Sequence, residues 1–392
     1  MDGAGAADSA PAAPAVRGLN ESQAEAVLAD PAQPLCIFAG AGSGKTLTLC
    51  RRMAFALSMG EDPAAILCLT FSRHAAEELR SRVGDMSSSH AARSATVSTF
   101  HAFCLRVLRR HLPRHAATFG YGEGFTIVTR EEQHEILRGC LQLFVEQTEE
   151  GAAEREELAR RGEAAVTAAV KGLAKAVERH KTSGAQDCSE PRLAFVLHHY
   201  GECMRGGNML DFADLLLLAV RLFEQCDGVA ASYREQYSSV FIDEFQDTTR
   251  LQLELVRLLG CPRLTVVGTQ RFSFPPAHLG RQDSSGGACG CVTGDDDQSI
   301  YGFRGAAPQI FSTLREMIAP CPVREVVLGV NYRSSAMILQ ASTALVGHNT
   351  QRRPKQVRVR EGAEQGQRVC VCACRTVQCE AAYVAGTLRQ YQ

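Results

Sequence analysis

The sequence predicts an α/β fold in which a parallel sheet carries a helical insertion. Short apolar runs alternate with helical patterns over residues 18–100, and the same alternation returns over residues 209–318. Between them, residues 101–208 carry helical spacing with charged faces and few strand signals. Residues 319–392 add two apolar runs and a helical end, which is typical of the beginning of a second α/β domain.

The individual elements follow from caps and apolar periodicity, taken in chain order. Asn20 can cap the first helix, because its side chain can accept a backbone N–H of the first turn. The expected helices cover residues 21–28, 47–57, 75–83, 131–150, 152–181 and 193–200, with a last helix ending at the C-terminus. The expected strands cover residues 35–38, 66–70, 240–242, 264–267, 326–328 and 369–371.

The bulk composition of the 392 residues narrows the class of protein. A net charge of −1 excludes a protein coated in positive charge, so nucleic-acid binding would need local basic patches and stacking side chains. No apolar run reaches the roughly 18 residues of a membrane-spanning helix, which predicts no membrane partner. Residues 1–17 are rich in Ala and Pro and include acidic residues, which predicts a disordered tail and not a transit peptide.

Sixteen cysteines are scattered along the chain without a preceding secretory signal, which favours reduced thiols inside a cell. The one cluster holds Cys370, Cys372 and Cys374, with Cys379 after it. Alternate spacing would place the first three on one face of a strand, as small buried side chains. A metal or iron–sulfur site is the less favoured alternative, because such sites more often show Cys-x-x-Cys pairs.

A glycine-rich loop lies between the first apolar strand and a helix. It consists of Ala39, Gly40, Ala41, Gly42, Ser43, Gly44, Lys45 and Thr46. Small residues let backbone N–H groups surround phosphates at the positive end of the following helix. Lys45 adds a positive charge, and the Thr46 hydroxyl can bind Mg²⁺. The loop therefore predicts a nucleotide phosphate site. The alternative, a chance glycine-rich turn, is disfavoured by the flanking strand and helix.

A second chemical motif follows the apolar run at residues 239–242, where Asp243 and Glu244 are adjacent. Because strands of a parallel sheet end at a common edge, the two carboxylates are expected beside the glycine-rich loop. Asp243 would hold Mg²⁺, and Glu244 would orient or deprotonate an attacking water. An acidic surface turn is the alternative, and it fits poorly after four apolar residues.

Six further stretches, taken in order, resemble the motifs in the front half of UvrD/Rep/PcrA-type superfamily 1A DNA helicases. They cover residues 19–23, 69–76, 99–103, 211–215, 294–306 and 331–335. The resemblance implies a RecA-like P-loop NTPase fold, with motor domain 1A over residues 18–100 and 209–318. It also implies a helical insertion domain 1B over residues 101–208 and the N-terminal part of a second RecA-like domain, 2A, over residues 319–392.

The resemblance also implies an activity, which is ATP hydrolysis coupled to 3′-to-5′ movement on single-stranded DNA during DNA repair or recombination. Gln23 would contact the adenine edge, and Tyr332 would stack on the adenine ring. Gln298 and Arg333 would touch the γ-phosphate, beside the catalytic Glu244. The implied DNA-binding residues are Phe71, Arg73, His101, Tyr301, Phe303 and Arg304. The implied ligands are ATP, Mg²⁺, single-stranded DNA and junctions between single-stranded and duplex DNA. No oligomeric state is implied.

Aromatic residues in these motifs can also be core residues, and two of them are expected there. Phe103 and Phe212 fit the buried faces of their helices better than a DNA-binding surface. A generic phosphate-loop kinase or GTPase is a third possibility. It would leave Gln298, Arg304 and Arg333 unexplained, so the helicase resemblance is preferred.

The chain departs from the family in several places, and two of these departures are large. Residues 269–294 interrupt a motif that is continuous in the family, and their Gly/Ser/Pro-rich text suggests a retained intron, a gene-model error or a surface loop. The chain stops at Gln392, before two later motifs that include an arginine finger, which predicts a truncated motor. The alternative function is an ATP- and single-stranded-DNA-binding module without unwinding activity.

High Ala and Cys content with a possible intron suggests a eukaryote, and hence the nucleus, with chloroplast or mitochondrion as alternatives.

Overall fold

A computed structural model describes residues 12–30, 33–86, 94–185, 187–260, 263–268, 324–348 and 357–391. Its centre is a six-stranded parallel sheet with the strand order β3-β2-β6-β7-β1-β8. The sheet strands are β1 (Leu35–Ala39), β2 (Ile66–Thr70), β3 (Thr96–Thr99), β6 (Ser239–Ile242), β7 (Arg263–Gly268) and β8 (Arg324–Leu328). Two short parallel ribbons add β4 (Thr126–Ile127) with β5 (Met209–Leu210), and β9 (Val330–Asn331) with β10 (Arg358–Val359).

Helices cover the sheet and form the insertion. Those packed around the sheet are α1 (Ala12–Val16), α2 (Glu21–Leu28), α3 (Lys45–Ser58), α4 (Arg73–Met86), α5 (Phe100–His111), α6 (Ala116–Phe119), α11 (Phe212–Gln225), α12 (Asp227–Gln236) and α13 (Arg250–Leu259). The insertion contains α7 (Arg130–Gln147), α8 (Glu149–Arg161), α9 (Glu163–Ser183) and α10 (Pro191–Gly206). Two helices follow β8, namely α14 (Ala336–Val346) and α15 (Val377–Gln390). Within the described ranges, none of the helices is both long and apolar enough to cross a membrane.

The sheet explains why its strands are almost continuously apolar. All five residues of β1 and all five of β2 are buried, because helices pack on both faces of a parallel sheet. Since the strands run parallel, β1, β2 and β6 all end at the same edge. The glycine-rich loop, Phe71 and Asp243 follow these three strand ends, so the fold brings distant motifs to one edge.

The insertion has a hydrophobic core of its own, separate from the core around the sheet. Side chains of α7, α9 and α10 fill it, including Leu137, Phe144, Val177 and Tyr200. The predicted helical stretch over residues 152–181 is divided at Gly162, whose φ of +74° and ψ of −170° are open only to glycine. The mixed α/β class and the helical character of the insertion are therefore confirmed.

Three expectations about the chain ends need correction. Residues 12–16 of the predicted disordered tail form α1, and the Arg51 guanidinium donates to the Pro14 carbonyl at 3.3 Å. Residues 1–11 lie outside the described part. The strand Arg324–Leu328, expected in a second domain, instead pairs with β1 from Leu35 to Ala39. This pairing removes an open edge from the strand that carries the glycine-rich loop.

The third correction concerns residues 369–371, which were predicted to form a strand with buried cysteines. The segment forms no regular secondary structure, and Val371 is 94% exposed. Cys370, Cys372 and Cys374 are exposed as well. Alternating apolar residues form a strand only where a neighbouring strand and a core receive them, and the described part of the chain offers this segment neither.

Candidate nucleotide and DNA site

The glycine-rich loop has a backbone that requires glycine at two positions. Gly42 has a φ of +68° and Gly44 a φ of +83°, both in the left-handed region. A Cβ on Gly42 would lie 2.6 Å from the Arg333 Cβ, and one on Gly44 would lie 2.6 Å from the Gln23 Nε2. Gln23 and Arg333, which are far apart in the sequence, therefore both pack against the loop. Its last turn leads into α3, which begins at Lys45.

Lys45 and Glu244 form an ion pair across this edge of the sheet. The Lys45 Nζ lies 2.8 Å from the Glu244 Oε2, and the two side chains are 10% and 33% exposed. The same oxygen accepts a hydrogen bond from the Gln246 Nε2 at 2.6 Å. Glu244 has a φ of +51°, which is uncommon for a residue with a side chain and typical of functional sites. The lysine predicted to face phosphate is thus held by the predicted catalytic carboxylate.

Asp243 is buried beside this pair, at 3% exposure. Its Oδ1 has no hydrogen-bond partner among the described residues. Burial, and then repulsion from Glu244, raise the pKa of Asp243 to about 7. A buried carboxylate oxygen without a donor fits a hard cation such as Mg²⁺, which prefers oxygen ligands. Thr46, at the second position of α3, is partly buried and is the other residue predicted to bind the metal.

Two neighbours of this carboxylate pair had no predicted role. Gln246 and Asp247 are buried, and the Gln246 Oε1 and Asp247 Oδ1 also have no partner in the described part. Burial, followed by the charge of Glu244, raises the pKa of Asp247 to about 6. The sequence signal that could have indicated a role for them is that four of the five residues directly after the apolar strand are polar. Three unpartnered buried acceptors in five residues mark this turn as a place that receives a ligand.

Gln23 lies next to the glycine-rich loop, but its amide is engaged with the protein. Its Nε2 donates to the Ser43 carbonyl at 2.9 Å, and its Oε1 accepts the Asn20 backbone N–H at 3.1 Å. Asn20 caps α2 as expected and also donates to the Tyr332 hydroxyl at 2.8 Å. The adenine contact of Gln23 stays a prediction.

Residues 331–334, which follow β8, form hydrogen bonds with the glycine-rich loop. The Asn331 Nδ2 donates to the Ala41 carbonyl at 2.7 Å, and the Tyr332 N–H donates to the Gly42 carbonyl at 2.7 Å. The Asn331 Oδ1 accepts the backbone N–H of Arg333 and of Ser334. Sequence reasoning assigned Asn331 no role. Tyr332 is 45% exposed, and Arg333 is exposed beside the loop. Their contacts with adenine and γ-phosphate remain predictions.

Several predicted DNA-binding side chains lie along the same edge. Phe71 directly follows β2 and is 39% exposed, and Arg73 is exposed at the start of α4. The His101 ring, in the first turn of α5, stacks on Phe212 with ring centroids 4.5 Å apart. Burial lowers the pKa of His101 to about 4, so the ring is neutral near pH 7. The other predicted site residues, Gln298, Tyr301, Phe303 and Arg304, lie outside the described residues, as does the segment 269–294.

Of the two aromatic residues expected in the core, one was assigned correctly. Phe103 is 1% exposed, which confirms the prediction. Phe212 is 57% exposed, so the expectation of a core position is wrong. Phe212 is the first residue of α11 and lies at the helix end, where periodicity no longer defines a buried face.

The sequence matches the UvrD/REP helicase N-terminal domain over residues 19–319. The chain belongs to this family. It is 30% identical over 380 residues to the ATP-dependent DNA helicase PcrA of Staphylococcus epidermidis, covering 96% of this chain and 46% of the relative. It is 32% identical over 361 residues to the ATP-dependent DNA helicase UvrD1 of Mycobacterium tuberculosis, covering 90% of this chain and 42% of the relative. The chain thus spans about half the length of these curated relatives.

The relatives also correct the predicted location. They come from Staphylococcus and Mycobacterium, which are bacteria and contain no nucleus, chloroplast or mitochondrion. The prediction of a nuclear protein, with an organelle as alternative, is therefore wrong. Alanine and cysteine content depends on genome composition as well as on lineage, so it was a poor guide to the compartment.

Proposed function

We propose that this chain binds ATP with Mg²⁺ at the loop 39–46 and forms part of a DNA helicase that moves 3′ to 5′ on single-stranded DNA. One observation carries the nucleotide part. A loop shaped for phosphate lies beside a lysine–carboxylate pair and a buried aspartate oxygen to which none of the described residues donates. The helicase part is supported by family membership and by the names of the relatives.

The chemistry proposed for the nucleotide site assigns each side chain a task. Lys45 leaves Glu244 and neutralises phosphate charge when ATP enters. Glu244, still held by the Gln246 amide at 2.6 Å, is then free to orient and deprotonate the attacking water. Asp243 and Thr46 would hold Mg²⁺, which supplies positive charge to the phosphates. Gln298 and Arg333 would stabilise charge on the transferred phosphoryl group.

The DNA site is proposed along the strand ends on the same edge. Phe71 and the stacked pair of His101 and Phe212 would receive bases, which stack on aromatic faces without regard to sequence. Arg73 would neutralise a phosphate. Tyr301, Phe303 and Arg304 complete the proposed set. The preferred DNA would be single-stranded or a junction with duplex, and the process would be repair or recombination.

The domain division is proposed with one adjustment. The sheet and its helices would form the RecA-like domain 1A, and α7–α10, with their own core, the insertion 1B. Because β8 pairs with β1, the boundary of a second RecA-like domain would follow residue 328 instead of residue 318.

The deciding experiment measures DNA-stimulated ATP hydrolysis and strand separation on substrates with a 3′ or a 5′ tail. The proposal expects both activities on the 3′-tailed substrate and their loss in Glu244→Gln. Because the chain spans 46% of its S. epidermidis relative, a second candidate is a module that binds ATP and single-stranded DNA without separating strands. Binding without strand separation would favour that second function, and no nucleotide binding would contradict both.

A further inference from the structure

A second buried lysine lies between the insertion and the sheet-bound helix α11. The Lys181 Nζ, near the end of α9, is 2.7 Å from the Asp211 Oδ2 and 2.7 Å from the Asp214 Oδ1. The three side chains are 12%, 4% and 7% exposed, in that order. One ammonium therefore contacts two carboxylates that are almost completely withdrawn from water.

Two other insertion helices reach the same carboxylate. The Tyr200 hydroxyl of α10 donates to the Asp211 Oδ2 at 2.9 Å, and the Gln133 Nε2 of α7 donates to it at 3.3 Å. The Lys181 ammonium also lies over the Tyr200 ring, 4.8 Å from its centroid. Thus α7, α9 and α10 each contribute one side chain that converges on Asp211.

Asp211 is at the same time the N-cap of α11. Its Oδ1 accepts the Asp214 N–H at 2.9 Å, and the Asp214 Oδ2 accepts the Asp211 N–H at 3.0 Å. The two aspartates thus define the first turn of the helix through a reciprocal capping box. Phe212 lies in this turn, between the two aspartates, and its exposed ring stacks on His101.

We propose that Lys181 is a positioning residue for the binding of single-stranded DNA. Lys181 fixes the first turn of α11 and so holds the Phe212–His101 pair in the orientation that receives a base. The inference rests on the proposed function, because it concerns the same DNA site. A purely structural joint between insertion and sheet would lower stability when Lys181 is lost. It would not change the environment of residue 212 in the folded protein.

The test uses the absence of tryptophan from the chain. In the full 392-residue protein, Phe212→Trp places the one tryptophan at the stacking position, and excitation at about 295 nm selects it over the eight tyrosines. Lys181→Met, Lys181→Arg and the control Lys175→Met, an exposed lysine of the same helix, are then compared in this background below their melting temperatures. The readouts are tryptophan emission, its quenching by acrylamide without DNA, and affinity for oligo(dT).

We expect Lys181→Met to increase acrylamide quenching and to weaken oligo(dT) binding about tenfold, within the range of one lost base stack. Lys181→Arg and Lys175→Met should stay within about twofold of the parent, because the first retains the charge and the second lies outside the network. Tyr200→Phe removes one donor to Asp211 and keeps Lys181. Tyr200→Phe should also increase acrylamide quenching and weaken oligo(dT) binding, but by less than Lys181→Met. It replaces Lys181→Met in the test if that variant does not fold.

Two failures can be told apart. Binding of labelled oligo(dT) to the unsubstituted chain, followed by anisotropy, tests the proposed DNA function on its own, and its absence would overturn both proposals. If the chain binds oligo(dT) but the folded Lys181→Met or Tyr200→Phe variant keeps the parent's emission, quenching and affinity, the positioning role of Lys181 is overturned alone.

Discussion

Two buried lysine–carboxylate clusters in this protein differ in how completely their polar atoms are satisfied. At the sheet edge, Lys45 pairs with Glu244, while the Asp243 Oδ1, Gln246 Oε1 and Asp247 Oδ1 have no partner in the described part of the chain. At the joint of the insertion, Lys181 pairs with Asp211 and Asp214, and every acceptor oxygen of these aspartates accepts a hydrogen bond or contacts the ammonium.

The difference separates a site from a joint. A buried acceptor without a donor is costly, and it is retained where a ligand supplies the missing partner. A satisfied network holds elements together and specifies their orientation. The pKa directions agree with this distinction at Asp211 but not at Asp214. Burial raises the pKa of Asp243 to about 7, whereas Lys181 and the donors around Asp211 outweigh burial and keep the pKa of Asp211 below its ordinary value. Burial also raises the pKa of Asp214, to about 6, because one ammonium is shared between two carboxylates.

The largest expected effect is on nucleotide binding. Lys45→Ala should weaken Mg·ATP binding about 30-fold or more, because a phosphate would lose its buried charged partner. The unfolding free energy should change by only about 1 kcal/mol, because Glu244 is one-third exposed and can be hydrated. Titration calorimetry and denaturant unfolding measure the two quantities. An unchanged Mg·ATP affinity would exclude the loop 39–46 as the phosphate site.

The opposite pattern is expected at the joint. Lys181→Met should lower the unfolding free energy by about 3–5 kcal/mol, because it leaves Asp211 and Asp214 buried without a cation. Mg·ATP affinity of the folded variant should not change. Denaturant unfolding provides the measurement, with Lys175→Met as the matched exposed control. A loss no larger than that of the control would show that the joint contributes little stability.

A smaller effect is expected from pH. Only the ionised Asp243 can bind Mg²⁺, and its pKa is raised to about 7, so Mg·ATP affinity should fall about tenfold between pH 8 and pH 6. Without Mg²⁺, the native state binds more protons at Asp243 than the unfolded chain. Ionisation of this group therefore lowers the unfolding free energy as pH rises from about 4 to about 7.

The control for this pH dependence is the same titration without Mg²⁺, which reports protonation of the nucleotide itself. Asp243→Asn should remove the part that depends on Mg²⁺. A flat profile in the parent chain would mean that Asp243 is not the metal ligand.

The smallest effect is expected for an exposed pair. Arg161 lies 2.8 Å from Glu157 on α8, and their side chains are 66% and 53% exposed. Arg161→Gln should lower the unfolding free energy by about 0.5 kcal/mol or less, since water and salt already screen the pair. Denaturant unfolding at low and high salt would measure it. A loss of unfolding free energy as large as that of Lys181→Met would show that burial does not decide how much an ion pair contributes to the stability of this protein.

Sequence reasoning succeeded where the signal was local. Asn20 caps α2 as expected, and the apolar run before Asp243 forms a buried strand that ends at the predicted edge. The glycines of the loop 39–46 predicted a tightly turning backbone, and Gly42 and Gly44 both have positive φ. These features depend on a few neighbouring residues, so the order of residue types was sufficient to predict them.

It failed where the outcome depends on distant partners. Lys181 and Asp211 are 30 residues apart, and Asn331 meets Ala41 across 290 residues, so neither contact has a pattern in the sequence. Phe212 is apolar in a helix and was expected in the core, yet the end of the helix exposes it. The alternation at residues 369–371 predicted a strand, but a strand also needs a neighbour, which a single segment cannot indicate.

The central claim is that the Lys45–Glu244 pair is poised to open when ATP binds. Mg·ATP affinity of Glu244→Gln tests it most directly, measured by titration calorimetry beside the parent chain. Because glutamine cannot hold the ammonium by charge, the substitution should free Lys45 and tighten binding about two- to fivefold, the equivalent of a partly exposed ion pair. Binding as weak as that of Lys45→Ala would contradict the account, because Glu244 would then be needed to hold the nucleotide.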